Sequence, residues 1–253
     1  MSFRLRVLQA GSAALIAAFF FLISLPASAA VVVTGTRVIY PAAKREVTIE
    51  IRNPGERPSL VQAWLDAGDS ASKPGESKVP FVMTPPLFRL DPTKSQSLRL
   101  VYTHDPLPQD RESVFWLNVL DIPPKAAINP DLPNQLDLAF KHRMKVFFRP
   151  SGLSGSAADA PGRMTWKLLT KDGKLTGIQA SNPTPYHVSL TQITGTVAGH
   201  PFSIKADMVD PFASRSFDLP DLPAAGGAAS IAFWFVNDFG GNATGTASVS
   251  AAP

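Results

Sequence analysis

The chain has 253 residues, 24 Lys and Arg against 20 Asp and Glu for a formal net charge of +4, 24 prolines and no cysteine. Without Arg4 and Arg6 the charge is +2, too balanced for the basic stripe of a nucleic-acid binder. The prolines exclude long helices, and an exported domain without cysteine must rest on its apolar core alone. Residues 1–29 read as a signal peptide: Arg4 and Arg6 form the positive start, Val7 to Leu25 carries no charge, and Ala27-Ser28-Ala29 after Pro26 fits a cleavage site. Gln9, Gly11 and Ser12 shorten its apolar core below the roughly 20 residues that span a bilayer. Cleavage after Ala29 is therefore expected, leaving a soluble, exported chain that does not insert in the membrane.

Short alternating runs follow. Val47, Ile49 and Ile51 share one face of a strand closed by Asn53-Pro54-Gly55. Val61–Leu65 comes next, then a polar loop from Gly68 to Lys78, then strands at Leu98–Tyr102 and Val114–Leu120. The last is nearly all apolar and should be central. From Asn134 to Pro150 a period-two start places Leu136, Leu138 and Phe140 on one face, followed by cations and an apolar run stopped by proline. Such a strand suits gripping an extended polypeptide with an anionic end. Taken alone, the segment better fits the plainer reading, an ordinary sandwich strand that buries the three residues in its own core. Ser151 to Gly162 is small and polar and reads as a hinge. Strand signals resume at Met164–Leu169, Leu175–Ala180, His187–Val197, Phe202–Ala206, Ile231–Val236 and Thr244–Val249. The pattern predicts an all-β chain of two sandwiches, residues 30–151 and 152–253.

Chemistry-bearing constellations do not emerge. His104, His142, His187 and His200 lack metal-site spacing, and there are no thiolates. His187 reads as a strand-face residue. Ser154 and Ser156 lie outside any nucleophile elbow, and no glycine-rich phosphate loop follows a strand. The chain is expected to be no enzyme and to need no cofactor or metal.

Several local motifs occur together: Gly35-Thr36-Arg37-Val38-Ile39-Tyr40-Pro41, Leu60-Val61-Gln62-Ala63-Trp64, Thr84-Pro85-Pro86-Leu87-Phe88-Arg89-Leu90, Asp110-Arg111-Glu112-Ser113 with Asn118, Lys145-Val146-Phe147-Phe148-Arg149-Pro150, Asn182-Pro183-Thr184-Pro185-Tyr186, Met208-Val209 and Asn237-Asp238-Phe239-Gly240. In this order, behind a signal peptide, they resemble the periplasmic pilus-assembly chaperones, the PapD-like family, over nearly all of the mature chain. The resemblance implies two immunoglobulin-like domains in an L-shaped arrangement. It also implies a periplasmic chaperone that completes the fold of fimbrial subunits by donor-strand complementation and hands them to an outer-membrane usher.

Arg37 and Lys145 would anchor the subunit's C-terminal carboxylate, and Leu136, Leu138 and Phe140 would be the donated residues. Glu112, Arg149 and Asp238 would form an ionic cluster holding the domain angle. Pro58, Leu60 and Ile122 would form the proline lock toward the usher. Self-association without subunit and a cis Thr84-Pro85 bond are further implications. The loop from Pro124 to Asn134, without cysteines, favours the short F1–G1 loop branch. Phe239 departs from the family's commoner tyrosine. The rival reading is a structural fimbrial subunit or surface adhesin with tandem sandwiches. Strict alternation places Lys145 on the face opposite Leu136, Leu138 and Phe140, so bringing it round needs a bulge or a change of twist near Lys141–Arg143.

Overall fold

A computed structural model describes residues 31–125, 138–197, 199–223 and 229–249. The signal-peptide segment, the loop before residue 138 and Leu136 lie outside them. Nine strands make the first domain: β1 Val32–Val33, β2 Arg37–Pro41, β3 Glu46–Arg52, β4 Ser59–Asp66, β5 Phe81–Thr84, β6 Leu87–Leu90, β7 Ser95–Tyr102, β8 Ser113–Ile122 and β9 Phe140–Arg149. They form two sheets, β1-β3-β7-β5 and β2-β9-β8-β4-β6. As its composition predicts, β8 is central in the second. Alternation dictates the core: Ile49 and Ile51, Leu98 and Leu100, Val61 and Ala63, Leu117 and Val119, and Val146 and Phe148 all point between the sheets. The Thr84-Pro85 bond is cis.

The second domain contains β10 Thr165–Lys171, β11 Lys174–Ser181, β12 Val188–Val197, β13 His200–Lys205, β14 Met208–Val209, β15 Ser214–Pro223, β16 Ala229–Val236 and β17 Asn242–Val249. Its sheets are β10-β11-β15 and β13-β12-β16-β17, with β14 beside β12, around Trp166, Leu168, Ile178, Ile193, Ile231 and Phe233. The sequence reading lacks β15, whose apolar alternation is confined to Phe217 and Leu219 between charged residues and prolines. The two-sandwich, all-β architecture is otherwise as expected.

Two expectations change. The segment read as a hinge is packed: Ala160 is buried in the second core, a 3-10 turn spans Ala160–Arg163, and Tyr186 Oη donates to the Gly155 carbonyl at 3.0 Å. Leu153 and Ala157 also lie against that core, so the segment is held to the second domain. Nor does β9 contain a bulge. Its pairing with β8 runs unbroken from Ser113↔Phe148 to Asp121↔Phe140. Even-numbered residues from Met144 onward therefore enter the core, while Arg143, Lys145, Phe147 and Arg149 take the other face.

Candidate functional site

The site begins with strand direction. β2 runs parallel to β9, in the register Arg37↔Lys145 through Pro41↔Arg149. Val38 and Tyr40 fill the core on one face of β2, which sends Arg37 to the other, beside Lys145. Adjacent strands lie about 4.8 Å apart, so two like charges share one cleft. β2 starts at Arg37. Beyond it, the edge of β9 from Phe140 to Met144 has no strand partner among the described residues. Leu138 and Phe140 on this stretch are 54% and 49% exposed, so the chain does not bury them in its own core.

The cleft has a volume of about 480 Å³, and both domains line it, through Thr36, Arg37, Trp116 and Lys145 from the first and Val236, Gly240 and Asn242 from the second. Gly240 is required there: its φ is +83° and a Cβ would overlap Thr36 Oγ1, so only glycine lets the turn approach β2. Arg37 is fixed by an Nη1 hydrogen bond of 2.8 Å to the Val236 carbonyl and lies over the Phe147 ring at 5.6 Å. Its Nε is buried without a partner.

Burial lowers the Arg37 pKa, against the opposing pull of Asp238 and Glu112. Burial also lowers that of Lys145, aided by repulsion from Arg37 and Arg215 and opposed by Asp207 and Asp210. Among the described residues Lys145 makes no ion pair. The cleft thus holds two incompletely compensated cations and favours an anion.

A second cluster joins the domains. Arg149 Nε donates to Glu112 Oε1 at 2.6 Å, and its two terminal nitrogens donate to Asp238 at 2.7 and 3.0 Å. Burial opposes the Arg149 charge, but the bonds to Asp238 and the nearby Glu112 outweigh it and raise its pKa above the ordinary arginine value. Sequence reasoning missed His187 here. Its backbone N–H donates to Glu112 Oε2 at 2.8 Å and its Nδ1 lies 3.2 Å from the same oxygen. No local signal marks a contact 75 residues apart.

A third cluster, on the cleft's flank, also escaped the sequence reading. Asp66, with a side chain 0% exposed, accepts from Arg143 Nη2 at 2.7 Å, Asn118 Nδ2 at 2.6 Å and the Gly68 N–H at 2.7 Å. Burial alone would raise the Asp66 pKa, but these bonds and the Arg143 charge lower it overall. The Arg143 guanidinium carbon lies over the Trp116 ring, 4.9 Å from its centre. The polar loop after β4 closes over this cluster, with Trp64 Nε1 donating to Ser72 Oγ at 3.2 Å and Lys141 Nζ to the Ser70 carbonyl at 2.7 Å. At the far end of the sheet Leu60 pairs with Ile122, and Leu60 is exposed next to the half-buried Pro58.

Residues 30–154 match the family of the pili and flagellar-assembly chaperone PapD N-terminal domain, and residues 159–247 that of the pili assembly chaperone PapD C-terminal domain. The chain belongs to the pilus assembly chaperones. It is 41% identical over 223 residues to "Probable fimbrial chaperone YadV" of Escherichia coli K12, covering 86% of this chain and 89% of that protein. It is 42% identical over 236 residues to "Chaperone protein FimB/FhaD" of Bordetella pertussis, covering 91% and 93%. The crystal structure of the YadV chaperone superposes with a TM-score of 0.73 at 37% identity, covering 87% of this chain and all of that one. A Salmonella enterica SafA pilin in complex with the SafB chaperone matches at TM-score 0.70 and 30% identity, covering 90% and 98%. Members of this family are periplasmic and act as assembly factors rather than enzymes; the fibre-subunit reading finds no support.

Two outcomes follow for the free chaperone. The folded state lowers the Lys145 pKa, so at neutral pH, where the side chain is charged folded or unfolded, that charge subtracts from stability. Lys145→Met should therefore raise the melting temperature by roughly 2–4 °C, the effect of about 1 kcal/mol in a chain of this size; a lower value in a thermal scan contradicts the assignment. Conversely, Arg149→Ala strips the buried Glu112 of its arginine and should cost roughly 3–5 kcal/mol in urea unfolding. A cost below about 1 kcal/mol would show the cluster to be unimportant for stability.

Proposed function

We propose that this chaperone captures pilus subunits by adding their last strand to the open edge of β9 and anchoring the terminal carboxylate on Arg37 and Lys145. The observation that carries this reading is the outer edge of β9 from Phe140 to Met144, which has no strand partner among the described residues. It has the exposed Leu138 and Phe140 at its start and leads straight to two desolvated cations. The direction follows from geometry. A strand lying along Phe140–Met144 with its C-terminus at Lys145 runs parallel to β9 and ends head-on to β2. Leu138 and Phe140, with Leu136 before them, then fill an apolar groove in the subunit. Each such side chain contributes about 1.5–3 kcal/mol on full burial, and each charge-assisted bond to the carboxylate about 1.5–3 kcal/mol. Because donation and anchoring use opposite faces of one regular strand, no bulge is needed.

The finer roles belong to the same reading. Glu112, Arg149 and Asp238 hold the domain angle, and Pro58, Leu60 and Ile122 dock on the usher. Residues 1–29 direct export to the periplasm, and without subunit the open edge supports self-association. The cysteine-free sequence from Pro124 to Asn134 favours the short F1–G1 loop branch.

Arg37→Ala and Lys145→Ala should abolish co-purification of the subunit while circular dichroism stays unchanged, and Leu138→Glu should weaken capture in a folded protein. Undiminished yield from both anchor variants would sink the proposal, and an unfolded Leu138→Glu would return that residue to the core. The pKa adds a second test. The bound carboxylate restores the Lys145 pKa that burial lowers, so affinity should fall with rising pH from below the usual lysine range. Lys145→Arg, which stays charged, should flatten that fall; coincident pH profiles would refute the role of Lys145.

A further inference from the structure

The ladder leaves a problem of register that the anchor cannot solve alone. Sliding the captured strand by one residue points the wrong side chains at β9, but sliding it by two restores the facing pattern. Such a slip toward Phe140 would carry the carboxylate from Lys145 to Arg143, which lies on the same face, lines the same cleft and borders the same open edge. An uncommitted arginine there would be a competing anchor, with a planar fork better suited to a carboxylate than an ammonium.

Arg143 is not uncommitted. Two of its nitrogens face the carboxylate of Asp66, at 2.7 and 3.3 Å, and its guanidinium sits over Trp116. Asp66, Trp116 and Lys145 occupy successive register positions across β4, β8 and β9. The indole therefore stands between the Asp66 carboxylate and Lys145, and Asp66 neutralises Arg143 while leaving the lysine charge free. We infer that Asp66 is a register-setting residue: by occupying Arg143 it denies the subunit's carboxylate the anchor two residues early, so that only Arg37 and Lys145 receive it. This inference rests on the strand-capture reading above. The plainer view makes Asp66 and Arg143 a buried ion pair that matters only for folding.

A double-mutant cycle on the full chain separates the two views. The readout is affinity for a pilus subunit that the wild-type protein captures. Lys145→Ala should weaken binding at least about tenfold when Asp66 is present. In the Asp66→Asn background, where Arg143 is released, the same change should cost no more than about threefold, since Arg143 takes over. Equal losses in the two backgrounds overturn the inference and leave the capture reading intact. No loss from Lys145→Ala in either background overturns both.

Register can also be read directly, because the chain has no cysteine. Ala139→Cys, scanned against cysteines along the subunit's last strand, should cross-link in one register when Asp66 is present. A second, two residues displaced, should appear in Asp66→Asn. If Asp66→Asn does not fold, Arg143→Lys serves, since it keeps the charge but loses the two-nitrogen hold on Asp66. A single register in every folded variant overturns the inference.

Discussion

The parallel pairing of β2 with β9 is the constraint on which the functional architecture depends. It places Arg37 beside Lys145 on the face turned away from the core, and it ends β2 at that point. A strand that began earlier would cover the edge of β9; one that paired a residue out of register would turn Arg37 into the core. The free protein bears the consequence as two desolvated cations and an unsatisfied sheet edge. Both are unfavourable for an isolated fold, and an anionic-ended strand relieves both at once.

Around this edge three polar clusters divide the labour. Arg149 ties Glu112 of the first domain to Asp238 of the second, next to the turn that carries Gly240 to Thr36. That turn adjoins Val236, whose carbonyl holds Arg37, so the contact between the domains also positions Arg37. Asp66 and Arg143 satisfy each other on the opposite flank. The charges are thus sorted: Arg149 and Arg143 are paired within the fold, whereas Lys145 makes no ion pair among the described residues.

Much of this was legible in the residues. Val47, Ile49 and Ile51, or Val114 to Leu120, announce strands through alternation or continuous apolarity, and the ordered motifs around Arg37, Glu112 and Lys145 carry the family resemblance. The exposed Leu138 and Phe140 were identified by periodicity, but their lack of a core was not. An alternating pattern states which residues share a face, not whether the protein covers that face. The segment from Ser151 to Gly162 misled for a similar reason, since a small, polar composition does not state whether its few apolar residues, Leu153, Ala157 and Ala160, pack on a core.

By itself the sequence determined the all-β class, the two sandwiches and most strands, because these follow from interactions between near neighbours in the chain. Tertiary structure alone decided that Arg37 meets Lys145, that Arg143 is taken by Asp66 while Lys145 is not, and that His187 joins Glu112. Those pairings link residues at least 75 positions apart and depend on sheet order and register. Charge and spacing do not encode them, because any cation can meet any carboxylate until the strands between them are assigned their places.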